Sequence, residues 1–352
     1  YKVFDSERVI ARLPGPPYQL LDRITDIRGA KPFVLEAGAE VTAEYDVPPD
    51  AWYFRANRQK SMPFAVLLET ALQPCGWLAA YLGSALRSES DLSFRNLGGK
   101  AVLHEEVFPD AGTLSTRVKM TRVSQSAGMI IQNYDLEVRR GPRLVYQGDT
   151  YFGFFSKEAL ADQKGILSAS PYSPSAEERA RGVELDIPAC APLDPEDSSL
   201  PDPEKLALPA RAFRMFDSIP LFIPDGGPAR LGFLRGIKKV DPAEWFFKAH
   251  FFQDPVCPGS LGLESFQQLL KAFGRQRWAA ECPQEARWTP IVPGERHEWV
   301  YRGQVIPRNK VVTVEAVVTE VDDRQKRLKA DGFLSVDGLL IYQMKGFSLS
   351  AP

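Results

Sequence analysis

Two stretches, Pro63 to about Leu82 and Pro258 to about Phe273, are apolar on nearly every side and too long for a strand, so they predict two buried helices. Each opens on a proline, which suits a first helical turn whose amide has no partner. Downstream of the second stretch, alternating segments at Val311 to Val321, Arg327 to Val336 and Leu339 to Leu349 predict strands. The only large apolar partner either helix has is its own set of strands. The pattern therefore predicts an α+β chain in which an antiparallel sheet wraps a long central helix, twice.

The chain matches itself at an offset near 195 residues, and such self-similarity outranks any local motif as evidence of architecture. Trp52-Tyr53-Phe54-Arg55-Ala56-Asn57 aligns with Trp245-Phe246-Phe247-Lys248-Ala249-His250. Pro63 through Gln73 aligns with Pro258 through Gln268, Leu114 to Met120 with Val312 to Val318, and Val145-Tyr146-Gln147 with Ile341-Tyr342-Gln343. A first unit is expected over 1–158 and a second over 210–352, lying side by side as an intramolecular pseudo-dimer. The stretch between them, 159–209, is rich in Pro, Ser, Ala, Asp and Glu and reads as a linker.

Composition narrows the function. A length of 352 residues suits two domains, and 44% hydrophobic with 25% charged residues is ordinary globular usage. A net charge of -2 without a basic run gives no footprint for nucleic acid, and no segment is apolar for long enough to span a bilayer. Cys75, Cys190, Cys257 and Cys282 are scattered, without zinc-site spacing, and read as reduced thiols of a cytoplasmic protein. The opening residue is Tyr1 rather than Met, which fits a segment of a longer polypeptide.

Three histidines occur, His104, His250 and His297. His250 ends an aromatic run and precedes a proline-bounded turn leading into the second helix. An imidazole in apolar surroundings stays neutral near pH 7, the form a general base requires. After Pro258, Gly259 exposes its N–H at a helix N-terminus, where free amides and the dipole favour a developing oxyanion. Glu69 and Glu264 lie inside the apolar helices, each followed four residues on by a glutamine, Gln73 and Gln268. A carboxyl there has to be paired or protonated, and a protonated one is what a general acid must be.

The segment from His250 to Glu264, with Asp254-Pro255-Val256, Pro258-Gly259 and Leu261-Gly262-Leu263-Glu264, resembles the active-site segment of the bacterial β-hydroxydecanoyl-ACP dehydratase/isomerase family. The doubled arrangement resembles the dehydratase region of polyunsaturated fatty acid synthases over most of the chain, including Tyr18 to Ile24 and Arg58 to Phe64. That resemblance implies a tandem, or double, hotdog fold in which the histidine of one hotdog faces the acid on the other's central helix. His250 would then work with Glu69 as catalytic pair, with Gly259 and Gln73 binding the substrate. Asn57, Glu264 and Gln268 would form a degenerate second site, since Asn57 is no base, the first turn is two residues shorter, and Phe64 stands where Gly259 stands. The family's acid is usually aspartate, so the glutamates here are a departure.

The implied reaction is dehydration of 3-hydroxyacyl thioesters on acyl carrier protein to trans-2-enoyl thioesters, with or without a shift of the double bond, and with no metal or redox cofactor. The implied partners are acyl carrier protein and the other domains of a multidomain synthase. Two other functions compete: a hotdog thioesterase in which Glu264 and Asn57 direct water, and a non-catalytic module of a synthase. His104 and His297 lack comparable surroundings and read as ordinary. Cys257 reads as a small thiol filling a turn.

Overall fold

The computed structural model describes residues 9–126, 128–188 and 205–351. The first repeat supplies β1 (Arg23–Arg28), β2 (Glu40–Asp46), β3 (Ser93–Leu103), β4 (Thr113–Ser126), β5 (Met129–Arg140) and β6 (Arg143–Phe155). The second supplies β8 (Ser218–Ile223), β9 (Phe233–Lys239), β10 (Arg296–Tyr301), β11 (Val311–Asp322), β12 (Arg327–Val336) and β13 (Leu339–Ser350), preceded by a short β7 (Val183–Leu185). Four helices matter for the site: α1 (Trp52–Asn57), α2 (Phe64–Tyr81), α3 (Trp245–Ala249) and α4 (Gly259–Trp278).

All the described strands join one antiparallel sheet of order β1-β2-β4-β5-β6-β3-β10-β13-β12-β11-β9-β8-β7. Apart from β7, this order is a mirror image about the β3/β10 joint, as a doubled unit requires. At the joint, Trp299 of β10 lies opposite Gly99 of β3. A Cβ on Gly99 would come within 2.5 Å of the indole, so the crossing needs glycine there. The Trp299 Nε1–H donates to Asn96 Oδ1 at 2.9 Å, which ties the units by side chain as well as backbone.

Each long helix lies in the curl of its own strands, α2 against β2, β4 and β5, and α4 against β9, β11, β12 and β13, while the two helices also pack on each other. The expected strands at 311, 327 and 339 agree within a residue. Helix α4 runs five residues beyond Phe273, because Trp278 is buried and its Nε1–H donates to Asp323, which also pairs with Arg277. Pro63 and Pro258 stand one position outside the first turn, as N-caps with φ of -59° and -53°. Pro74, inside α2, removes an amide that would have bonded the Thr70 carbonyl; the Thr116 hydroxyl of β4 donates to that carbonyl at 3.4 Å.

The repeat persists down to single hydrogen bonds. The Gln73 amide accepts from Leu20 N–H and donates to the Tyr18 carbonyl, both at 2.8 Å. The Gln268 amide accepts from Met215 N–H at 2.8 Å and donates to the Phe213 carbonyl at 2.9 Å. Every partner in the second set lies the same 195 residues along. Both glutamines thus pin the N-terminal strap of their unit to the buried helix.

The stretch 159–209, read from composition as a linker, carries structure where it is described. A capped turn at Ala176–Arg181 leads into β7, which adds an edge strand to β8, and Ile166 N–H donates to the Leu340 carbonyl at 2.9 Å. Pro and Ser hid this: a three-residue edge strand has too few positions to show a period. Leu206, Ala207 and Leu208 are buried, and Gln59 Nε2 donates to the Ala207 carbonyl at 2.8 Å. Residues 189–204, including Cys190, lie outside the described residues.

His297 of β10 is buried against Tyr146, Trp299 and Phe64, with Nε2 2.8 Å from the Tyr146 hydroxyl. Burial pushes its pKa down to about 3. His250 is likewise pushed down to about 3. Because the unfolded imidazoles take protons near pH 6.5 and the folded ones do not, stability present above that pH is lost as pH falls from about 6.5 towards 3. Each buried histidine contributes up to roughly 1.4 kcal/mol per pH unit in that window. Denaturant titrations of His297→Phe at pH 7, 5.5 and 4.5 are expected to show a shallower decline than the parent; equal slopes would place the acid sensitivity elsewhere. A packing test comes from Gly332 of β12, where an added Cβ would sit 2.6 Å from the Phe266 ring. Gly332→Ala should destabilise by about 1–3 kcal/mol despite alanine's better strand entropy, read as a lower denaturation midpoint.

Candidate active site

His250 caps the C-terminal end of α3 in an extended conformation, and its own N–H donates to the Phe246 carbonyl at 2.9 Å. The turn that follows folds back on itself. Phe251 and Asp254 exchange backbone hydrogen bonds, and Val256 N–H donates to the His250 carbonyl at 2.8 Å. This brings the Val256 carbonyl 3.1 Å from His250 Nδ1. A carbonyl only accepts, so Nδ1 carries the proton and Nε2 keeps its lone pair. Desolvation holds the ring neutral, with the Val256 hydrogen bond opposing it more weakly. The two residues that the first repeat lacks fall in this turn.

An ion pair from the other repeat holds the turn. Arg95 of β3 donates bidentately to Asp254, at 2.8 and 2.7 Å, and its Nε–H donates to Gln304 at 2.8 Å. The pair is mostly shielded from solvent, and the arginine keeps the Asp254 carboxyl below the usual carboxylate range against its burial. Sequence reading missed Arg95, whose partner lies 159 residues away.

Glu69 projects from α2 towards the N-terminus of α4. The Ser260 hydroxyl donates to Glu69 Oε1 at 2.7 Å, and Gln73 Nε2 lies 3.4 Å from Oε2. The Tyr18 hydroxyl is 3.2 Å from Ser260 Oγ, extending the chain of donors. Burial raises the carboxyl's pKa and outweighs the two hydrogen bonds that favour the anion. With both ends of its amide bound to the backbone at Tyr18 and Leu20, Gln73 braces Glu69, and it also lines the cavity that Glu69 shares with His250.

Glu69 and His250 line one cavity of about 80 Å³, together with Gly259, Ser260, Arg95 and Tyr301. Gly259 opens α4, so its N–H has no carbonyl within the helix to bond. A Cβ at 259 would come within 2.8 Å of the Tyr301 ring. Glycine is therefore required here by close approach. The arrangement places a neutral imidazole, a carboxyl whose pKa burial raises and an unpaired helix N-terminus around one apolar pocket. Cys257 also lines it, but burial pushes its thiol up to about 12, which leaves it protonated and a poor nucleophile.

The second constellation is filled. The Lys271 ammonium sits 3.3 Å from Glu264 Oε1 and 3.2 Å from Asn57 Oδ1, and all three residues are buried. Glu264 Oε2 accepts from Ala65 N–H at 3.2 Å, in the first turn of α2. Phe64 begins that helix where glycine begins α4, and packs edge-on against His297. At the repeat offset Lys271 stands opposite Gly76, which lines the first cavity. Sequence reading missed Lys271 too, although a lysine inside an otherwise apolar helix is a signal that could have found it. Gln268 stays bound to its strap, away from this cluster of charges. His104 donates its backbone N–H to the Val145 carbonyl and lies apart from both constellations, whereas His297 touches the second through Phe64.

Among the described residues no helix is long and apolar enough to cross a membrane, and no three histidine, cysteine, aspartate or glutamate side chains group as metal ligands. One of the polypeptides of the polyunsaturated fatty acid synthase of Thraustochytrium sp. is 32% identical over 311 residues, covering 86% of this chain; the chain spans about a fifth (21%) of that relative's length. Among solved structures, an oleoyl thioesterase (putative) from Lactobacillus plantarum has a TM-score of 0.50 at 8% identity, over 89% of this chain and 97% of its own. The dehydratase domain from the CurJ module of curacin polyketide synthase has a TM-score of 0.48 at 13% identity, over 95% and 97%. At such identities the thioesterase likeness speaks for the fold alone, the double hotdog. The model of the FabA-like domain matches in two parts, residues 13–149 and 208–345, and so the chain belongs to the FabA-like family.

Proposed function

We propose that the chain dehydrates 3-hydroxyacyl thioesters to trans-2-enoyl thioesters, with His250 as base and Glu69 as acid, in a synthase that makes polyunsaturated fatty acids or polyketides. The observation that carries this reading is the convergence of a neutral imidazole from one repeat and a protonation-prone carboxyl from the other on a single cavity. His250 Nε2 takes the α-proton, and the electron pair forms the Cα–Cβ double bond as the Cβ–O bond breaks. Glu69 delivers its proton to the departing hydroxyl, which leaves as water. Return of the proton from imidazolium to carboxylate through solvent restores both groups. Partial negative charge on the thioester oxygen falls at the N-terminus of α4, beside Gly259. Every atom is accounted for without a cofactor.

Several expectations belong to the same proposal. The substrate is presented by acyl carrier protein, and neighbouring domains of the synthase supply it. Residues 1–158 and 210–352 act as one catalytic unit with a single site, because base and acid come from different repeats. A thioesterase using Glu264 and Asn57 is disfavoured, since the Lys271 ammonium already bonds both side chains.

Turnover of a 3-hydroxyacyl pantetheine thioester, followed by mass spectrometry as the loss of water, tests the roles. His250→Ala and Glu69→Gln should each lower kcat by roughly 100-fold to 10,000-fold, whereas Asn57→Ala should leave it near the parent value. Full activity in His250→Ala would overturn the assignment. The pH profile is a second check. With the His250 pKa near 3, no acid limb is expected at pH 6–7; activity should fall only as pH rises and Glu69 loses its proton. In an aspartate variant of Glu69 this basic limb should move, and an unmoved limb would mean another group sets it.

A further inference from the structure

We infer that the Tyr301 hydroxyl is a second hydrogen-bond donor to the substrate's thioester oxygen, acting beside the Gly259 N–H. This rests on the dehydratase reading and adds to it a residue that touches the reacting group. Tyr301 is the last residue of β10, on the inward face shared with His297 and Trp299. The side chain is 4% exposed and lines the cavity that holds His250 and Glu69. Its ring packs edge-on against Tyr342, 4.6 Å between centroids, which fixes the direction of the hydroxyl. A Cβ built on Gly259 would lie 3.1 Å from that hydroxyl oxygen, so the hydroxyl and the first amide of α4 border the same small volume.

What singles out Tyr301 is that its buried hydroxyl has no hydrogen-bond partner among the described residues. By contrast, the buried hydroxyl of Tyr18 is bonded by Ser260 and Ala65, that of Tyr146 by His297 and that of Tyr134 by Gln132. A buried hydroxyl left unpaired is costly, so its partner is supplied by what enters the cavity. Burial, with repulsion from Tyr342 and Glu69 added, holds the phenol far above its ordinary pKa, so it stays a donor across the working range. Glu69 is the group placed to serve the leaving hydroxyl. The carbonyl oxygen, directed to the α4 N-terminus, is the remaining acceptor, and two donors there oppose the charge that builds as the α-proton leaves.

The test uses the whole chain and crotonyl-pantetheine labelled with ¹³C at the carbonyl, read by Raman difference spectroscopy. The bound carbonyl band should fall below its solution frequency in the parent protein and in His250→Ala, and return part of the way in Tyr301→Phe. That variant keeps the ring and its packing. With 3-hydroxybutyryl-pantetheine, Tyr301→Phe should lose on the order of 100-fold in kcat with little change in KM. A parent band at the solution frequency, or a Tyr301→Phe band equal to the parent's, overturns the inference. A parent protein that lowers the band yet dehydrates no 3-hydroxyacyl thioester would remove the dehydratase reading and still support the Tyr301 hydrogen bond.

Discussion

A carboxyl buried on each central helix needs donors, and each receives one from the other helix, an interaction that organises the molecule. Ser260 answers Glu69, and the Ala65 amide answers Glu264, at corresponding positions of α4 and α2. Each glutamate has a further partner in its own repeat, Gln73 for Glu69 and Lys271 for Glu264. The helices meet at these carboxyls, and β3 and β10 complete the meeting by merging two curled sheets into one. Leaving either carboxyl unmatched would cost several kcal/mol, comparable with the whole stability of a domain.

From this near-symmetric frame, three differences separate the open cavity at His250 and Glu69 from the filled cluster at Asn57 and Glu264. A longer turn supplies the Val256 carbonyl that fixes the tautomer of His250. Glycine, not phenylalanine, begins α4, and glycine, not lysine, stands at position 76. Together they leave room and an unspent amide on one side, and put an aromatic ring and an ammonium on the other. The Arg95 clamp on Asp254 belongs to the open side, where the loop bearing His250 is held by the opposite repeat.

Much of this was legible in the sequence because it is repeated or periodic. The offset near 195 located both helices and paired the glutamates, and the strands at 311, 327 and 339 followed from their alternation. His250 stood out as one of three histidines and by its glycine-containing turn. What escaped was long-range: Arg95, Ser260, Tyr18 and Tyr301 act through partners in the other repeat or through an absence of partners, and neither leaves a local pattern. Gln73 was legible only in part. Spacing placed it on the face of Glu69, but could not reveal that the strap at Tyr18 and Leu20 takes both ends of its amide.

The lysine beside Glu264 also couples the side chains of the filled cluster. Replacing Lys271 alone would take the counter-ion from the buried Glu264, while a histidine at position 57 alone would set an imidazole against an ammonium. Removing Glu264 first would leave that ammonium without its counter-ion. Each single substitution in this cluster therefore leaves a buried charge short of a partner, so the three side chains can be exchanged for others only together.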